Sequence, residues 1–279
     1  MIIKNMSLIH QHLVKVRQKF WWVFWVVIEM KKKKIKEFYE NYHKVDEGNP
    51  IEKFKQKERL NSIFSITKNL GGKGLVIGCG SQNDMNLVSP NSFGVGVDIS
   101  TVAIKKSIRK YNKSRFIVSD ATNLPFMKNS FDYVICSEVI EHIKDDEKVL
   151  FEVKRILKNH GIFILTLPNW LSLYGLSRKL TEFLFRRPFT AGDQPIDNWS
   201  TPSKISKKLK KYNLEIIFFR GIWYYPPTGK GKKQIPWVIT LPLFKIFYPV
   251  EMLLRTILPW FGHIIIFKAY LVKYDRVFL

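Results

Sequence analysis

Acidic residues are scarce in this chain. Its 279 residues carry 23 Asp and Glu against 46 Lys and Arg, a formal net charge of +23. Cysteine is scarcer still, with only Cys79 and Cys136. Two thiols in apolar surroundings exclude a disulfide framework and a zinc site built mainly of thiolates. They read as reduced side chains of a cytoplasmic protein. Uninterrupted apolar runs of 18 residues are also missing, so no spanning helix is expected. Residues 20–28 are apolar or aromatic, but as a helix they reach roughly 13 Å, against the ~30 Å of a bilayer core. Residues 235–261 are interrupted by Lys245, Glu251 and Arg255, and Pro242, Pro249 and Pro259 are expected to break them. No small-residue cleavage site follows the first apolar stretch. Lys31 to Lys34 stand there instead, which reads against a secretory signal.

The basic excess is uneven. Residues 1–60 hold 14 basic and 7 acidic side chains, residues 61–170 hold 14 and 10, and residues 171–279 hold 18 and 6. Basic ends attract nucleic acid and anionic lipid headgroups alike. Trp21, Trp22 and Trp25, just before the lysine cluster, suit an interfacial helix on the inner face of an anionic membrane. They equally suit a helix docked on the protein itself.

The chain divides into three parts. Residues 1–70 form an amphipathic, helical extension, which Gly71 and Gly72 end. From 71 to 168, short apolar strands at 74–77, 92–97, 116–118, 133–136 and 161–167 alternate with helices at 101–111 and 145–157. Ser100 caps the first of these helices. This pattern predicts an α/β domain, a doubly wound parallel sheet covered on both faces. Residues 169–279 add a helix at 202–212, strands at 214–219 and 263–272, and two long insertions at 169–200 and 221–262. Both insertions read as substrate-binding or membrane-contacting segments.

The chemistry sits at strand ends. "LVIGCGSQND" takes an apolar strand into Gly78 and Gly80, where the missing Cβ atoms allow a sharp bend and a close backbone approach to a ligand. Asn83 stands where a dinucleotide loop would have its third glycine, which weakens that reading. Asp98 closes the second strand, where an acid can accept hydrogen bonds from both hydroxyls of a ribose; it could also cap the next helix. Asp120 and Ala121, in "SDATNLPF", end the third strand, where an acid can accept from an exocyclic amine. "NSFDYVICSEVIEHI" places Ser137 to His142 at the carboxyl end of a strand beside the glycine turn.

In this order and spacing, "LVIGCGS", "GVGVDIS", "DATNLPF" and "SFDYVICSEVIEHI" resemble a class I S-adenosylmethionine-dependent methyltransferase. They are similar to the branch that includes small-molecule and quinone O-methyltransferases. The resemblance implies a Rossmann-like, seven-stranded sheet with the last strand antiparallel, and S-adenosyl-L-methionine as cofactor. It implies that Gly78, Cys79 and Gly80 line the methionine part and that Asp98 holds the ribose. Ile99, Asp120 and Ala121 would lie by the adenine, and Ser137 and Glu138 under the methyl-donor end. Two positions depart from the family. Val76 stands where an acid helps orient the methionine ammonium, and Gln82 replaces a frequent third glycine. His142 is the candidate base for an oxygen acceptor, with Glu141 second, though either can be purely structural. Glu138, Glu141 and His142 also have the E-x-x-E-H spacing that some relatives use for a divalent metal, and on a helical turn they would share a face. No D-P-P-Y or N-P-P-Y motif is present, which disfavours the amino-methylating enzymes it marks.

Methyl transfer to an oxygen of a lipid-linked, isoprenoid or quinone-like, or sugar-type small molecule at a membrane surface fits these features best. An RNA methyltransferase using the basic, aromatic "YYPPTGKGKK" is one alternative. A methyltransferase-like binding subunit that no longer catalyses is another, motivated by Val76.

Overall fold

The computed structural model describes residues 33–43, 50–80, 83–186, 194–225 and 236–273. Seven strands form one sheet in the order β3-β2-β1-β4-β5-β7-β6. They are β1 (Gly72–Ile77), β2 (Ser92–Asp98), β3 (Arg115–Val118), β4 (Phe131–Ser137), β5 (Leu157–Pro168), β6 (Leu214–Ile222) and β7 (Ile264–Leu271). The first five pair in parallel, and β7 runs antiparallel between β5 and β6. The chain winds outward from β1 to β3 and then crosses back to β4, beside β1. The carboxyl ends of β1 and β4 therefore flank the switch point, where open α/β sheets bind ligands.

Strand residues alternate between two apolar layers. Leu75, Ile77, Val95, Val97, Val134 and Cys136 face one side. There they meet Val149, Val153 and Ile156 of α4 (Asp146–Ile156) and Ile205 and Leu209 of α6 (Pro202–Lys211). Val76, Ile135, Ile164 and Ile266 face the other side, against Ile63 of α2 (Pro50–Thr67) and Ile104 of α3 (Thr101–Lys110). Both faces being covered explains strands that are apolar throughout. The caps are local. Ser100 Oγ accepts from Ala103 N at 3.1 Å, and the Asp145 side chain accepts from Lys148 N.

The insertions hold two further helices, α5 (Leu173–Phe185) and α7 (Trp237–Ile257). The expected breaks at Pro242 and Pro249 do not occur, since both lie inside α7. Each proline removes a donor to the carbonyl four residues back and crowds that carbonyl with its ring. Both prolines are exposed, seven residues apart on one face, so water can satisfy the freed carbonyls. No helix among the described residues is long and apolar enough to cross a membrane. The Trp21, Trp22 and Trp25 segment, Gln82 and most of "YYPPTGKGKK" lie outside the described residues.

A buried charge cluster pins α7 to α2. Arg255 bonds Glu251 from Nε at 3.1 Å and from Nη2 at 2.7 Å, and also bonds Glu58 of α2 from Nη2. Trp223 N donates to Glu251 Oε1 at 2.8 Å. Two carboxylates thus share one guanidinium. Burial, and then repulsion from Glu251, push Glu58 up to about 7. A carboxyl raised on folding holds its proton in the native state at a pH where the unfolded chain has lost it. This part of the stability is full below the unfolded value near 4.5 and is lost as pH rises through about 7. Urea unfolding at pH 5, 6.5 and 8 is expected to show Glu58→Gln gaining stability relative to the parent chain as pH rises. An equal difference at all three values would contradict this assignment.

Candidate active site

A cleft of about 440 Å³ opens at the carboxyl edge of the parallel strands. Its lining includes ten of the eleven side chains or glycines expected from the sequence: Gly78, Gly80, Asp98, Ile99, Asp120, Ala121, Ser137, Glu138, Glu141 and His142. Cys79 is the exception. Its thiol is 1% exposed and packs among Val76, Met85 and Ile135 in the core. Its N–H bonds Val97 O at 2.9 Å.

The glycine turn is built for close approach. Gly78 has φ +65° and Gly80 has φ +51°, the left-handed region that glycine enters without strain. A Cβ on Gly78 would lie 2.3 Å from Val139 Cγ2. Asp98 ties this turn to α3. Its Oδ2 accepts from Gly80 N at 2.9 Å and its Oδ1 from Ser100 N at 2.8 Å. Each oxygen keeps a second lone pair, so two hydroxyls of a ribose can still be accepted. Burial raises the Asp98 carboxyl, and the Ser100 amide and His43 oppose the rise. Asp120 Oδ1 is taken by the N and Oγ1 of Thr122 at 2.8 and 2.7 Å, which holds the loop after β3 in shape.

The floor carries a polar chain invisible in the motifs. Arg59, on α2, is 7% exposed. Its Nη2 lies 2.9 Å from Asp84 Oδ1 and its Nη1 donates to Ser137 Oγ. Arginine only donates, so the Ser137 proton points onward to Thr166 Oγ1 at 3.0 Å. Thr166 then donates to Glu138 Oε1 at 2.9 Å. Glu138 sits at φ 55°, a conformation that costs a non-glycine residue on the order of 1–3 kcal/mol. Burial, and then the charge of Glu141, push Glu138 up to about 8. Burial raises Glu141 to about 8 as well. Glu141 Oε2 has no hydrogen-bond partner among the described residues.

The expected helical turn over Glu138, Glu141 and His142 does not form. Only Ile140–His142 is helical, as one 3₁₀ turn, and the left-handed Glu138 lies outside it. The three side chains therefore do not share a helix face, and no metal-holding group of three occurs among the described residues. His142 Nδ1 lies 3.0 Å from the Ile196 carbonyl. A carbonyl only accepts, so in the neutral ring Nδ1 carries the proton and Nε2 carries the lone pair.

The first insertion and His263, which follows the second, build one wall together. Asp197 accepts from Arg178 Nη1 at 2.8 Å and from Trp199 Nε1 at 2.7 Å. The Arg178 guanidinium sits 4.6 Å from the Trp199 ring centre. His263, just before β7, stacks on Tyr174 of α5 at 4.3 Å and meets the Trp199 ring edge-on at 5.0 Å. Pro168 pairs with Ile264, which brings both insertions to this edge of the sheet. Sequence reasoning missed Arg59, Asp84, Asp197, Trp199 and His263, which no local motif marks.

Charge in the cleft opposes charge on the chain. Among the described residues, seven carboxyls line it, those of Glu52, Asp84, Asp98, Asp120, Glu138, Glu141 and Asp197, against the one guanidinium of Arg59. Such a lining suits a ligand that brings positive charge. The glycine cradle, the spare lone pairs of Asp98 and the buried carboxyls thus match a nucleoside that carries a sulfonium and an amino acid.

Comparison with known proteins agrees with this geometry. A family model described as a methyltransferase domain matches residues 75–165. The chain is 30% identical over 215 residues to an uncharacterized protein of Methanocaldococcus jannaschii, covering 73% of this chain and 93% of that one. It is 26% identical over 179 residues to the ubiquinone biosynthesis O-methyltransferase of Methylococcus capsulatus, covering 62% and 75%. Magnesium protoporphyrin IX methyltransferase from Synechocystis, solved with bound S-adenosylhomocysteine, shares the fold. Its TM-score is 0.58 at 16% identity, covering 86% of this chain and 99% of that one. The chain belongs to the class I methyltransferases and is an S-adenosylmethionine-dependent enzyme.

Proposed function

We propose that this enzyme methylates an oxygen of a lipid-linked or isoprenoid, ring-bearing small molecule at a membrane surface. One observation carries the reading. The two helices of the insertions, α5 and α7, expose apolar side chains along their length. Leu180, Phe183, Ile246 and Leu253 are 58%, 80%, 75% and 58% exposed. Soluble surfaces rarely leave contiguous apolar patches of this kind without a partner. A bilayer interface rich in anionic lipid suits an apolar face on a chain of net charge +23. The acid-lined cleft, by contrast, repels the phosphates of an RNA acceptor. The relative named as a ubiquinone biosynthesis O-methyltransferase adds the precedent of an oxygen as acceptor.

In this reading Asp98 holds the ribose, Ile99, Asp120 and Ala121 surround the adenine, and Gly78 and Gly80 admit the methionine chain. Arg59 holds the carboxylate and Asp84 the ammonium. S-adenosylmethionine supplies a methyl group already activated on its sulfonium, so the protein's task is alignment. Glu138 and the aromatic wall of Trp199 and His263 set the acceptor's approach. His142 takes the acceptor proton at Nε2. Glu141, pushed up to about 8, holds its own proton near neutral pH and is not free to take another.

The two raised carboxyls give this reading a pH signature. Glu138 and Glu141 ionise as pH rises through about 8, and only the methyl donor, not its neutral thioether product, gains from the new charge. Calorimetry is expected to show affinity for S-adenosylmethionine rising relative to S-adenosylhomocysteine between pH 6.5 and 8.5. Asp98→Ala is expected to lower both affinities by about tenfold or more, while His142→Asn changes neither. A ratio that does not change with pH would contradict the placement of the sulfonium by these carboxyls.

Flotation with liposomes of anionic lipid checks the surface assignment. The protein is expected to float with them at low salt, and Phe183→Asp with Ile246→Asp to leave it in the aqueous fraction. A parent chain that stays wholly in the aqueous fraction would refute the membrane reading.

A further inference from the structure

The helix over residues 33–42, α1, belongs to no sheet layer, yet it lies across the cleft. Ile35, Tyr39, Tyr42 and His43 all line it. One side chain fastens it to the core. Glu40 Oε1 accepts from Thr101 N at 2.8 Å, and Oε2 accepts from Val102 N at 2.9 Å and Ser100 Oγ at 3.1 Å. Thr101 and Val102 are the first two residues of α3, whose N–H groups have no partner within the helix. Ser100 already serves the third, Ala103. The Glu40 carboxylate thus completes the cap, where the helix dipole favours an anion. Burial would raise this carboxyl, but the bonds from Val102, Thr101 and Ser100 outweigh it and hold the group below its usual value.

The anchor point matters. Residues 98–102 hold Asp98 at one end and the Glu40 contacts at the other. The same short stretch therefore carries the ribose acid and the fastening of α1. Across the cleft, the Tyr39 ring lies 6.2 Å from that of His142. The Tyr39 hydroxyl is buried and has no hydrogen-bond partner among the described residues.

We infer that Glu40 is a positioning residue for the cofactor, a clasp that holds α1 as the roof of the S-adenosylmethionine cleft. This rests on the reading of that cleft as the cofactor site. With the clasp closed, Tyr39, Tyr42 and His43 cover the bound nucleoside. Its release then requires the three Glu40 bonds to open.

Two variants remove the clasp from opposite sides. Glu40→Ala deletes the acceptor. Thr101→Pro deletes one donor at the first helical position, where proline is tolerated. Ser100, at φ −86° and ψ 119°, already has the extended backbone that precedes proline. Stopped-flow release of S-adenosylhomocysteine is expected to quicken by about tenfold in each variant. The double variant is expected to be no faster than Glu40→Ala, because both act on one interaction. Amide exchange over residues 33–42 in the ligand-free protein is expected to quicken as well, with the thermal midpoint of the core unchanged. Unchanged exchange overturns the clasp itself. Faster exchange with unchanged release overturns its role toward the cofactor. A parent chain that does not bind S-adenosylhomocysteine overturns the cofactor reading, and the role of Glu40 with it.

Discussion

The buried guanidinium of Arg59 is the constraint around which the site is arranged. A charge that is 7% exposed must be paired, and its partners come from two distant places in the chain. Asp84 comes from the turn after β1, Ser137 from the end of β4, and Glu138 lies beyond Ser137 along the hydrogen-bond chain. Removing one member of such a buried pair typically costs 3–5 kcal/mol. Arg59 therefore sets how α2, the glycine turn and the β4 edge meet. It also leaves the cleft with more carboxyls than it can neutralise. That surplus gives a strongly basic chain an acidic site suited to a cationic methyl donor.

This arrangement accounts for Val76. The side chain is 0% exposed and packs among Ile63, Met85 and Ile135 on the α2 face of the sheet. An acid there would be buried among apolar groups. The negative charge is carried instead by Asp84, eight residues on, in the short 3₁₀ turn Asp84–Leu87 that α2 packs against. In the proposed reading, Asp84 in the turn stands in for the acid missing from the strand, and Arg59 on α2 holds it in place.

What was legible in the sequence was local. Apolar strands buried on both faces, the Ser100 and Asp145 caps and the strand-end acids Asp98 and Asp120 each follow from a few neighbouring residues. The rest depends on contacts across the chain. Arg59 and Ser137 are 78 residues apart, and Glu40 and Thr101 are 61. Trp199 and His263 meet only because Pro168 and Ile264 pair across β5 and β7. Two sequence patterns took another form for local physical reasons. The prolines of α7 stay in the helix because their unpaired carbonyls face water. The E-x-x-E-H spacing does not make a helix face because Glu138 takes a left-handed backbone to reach Thr166.

The central claim is that Asp84 and Arg59 hold the amino-acid end of the cofactor in place of the missing acid at position 76. Calorimetry with S-adenosylmethionine on the parent chain, Asp84→Asn and Arg59→Met tests it most directly, with decarboxylated S-adenosylmethionine as a second ligand. The account predicts that the parent binds in the micromolar range and that each variant binds S-adenosylmethionine about tenfold or more weakly. It also predicts that Arg59→Met loses more affinity for S-adenosylmethionine than for the decarboxylated ligand, which has no carboxylate to lose. Equal losses for both ligands, or full affinity in either variant, would contradict it.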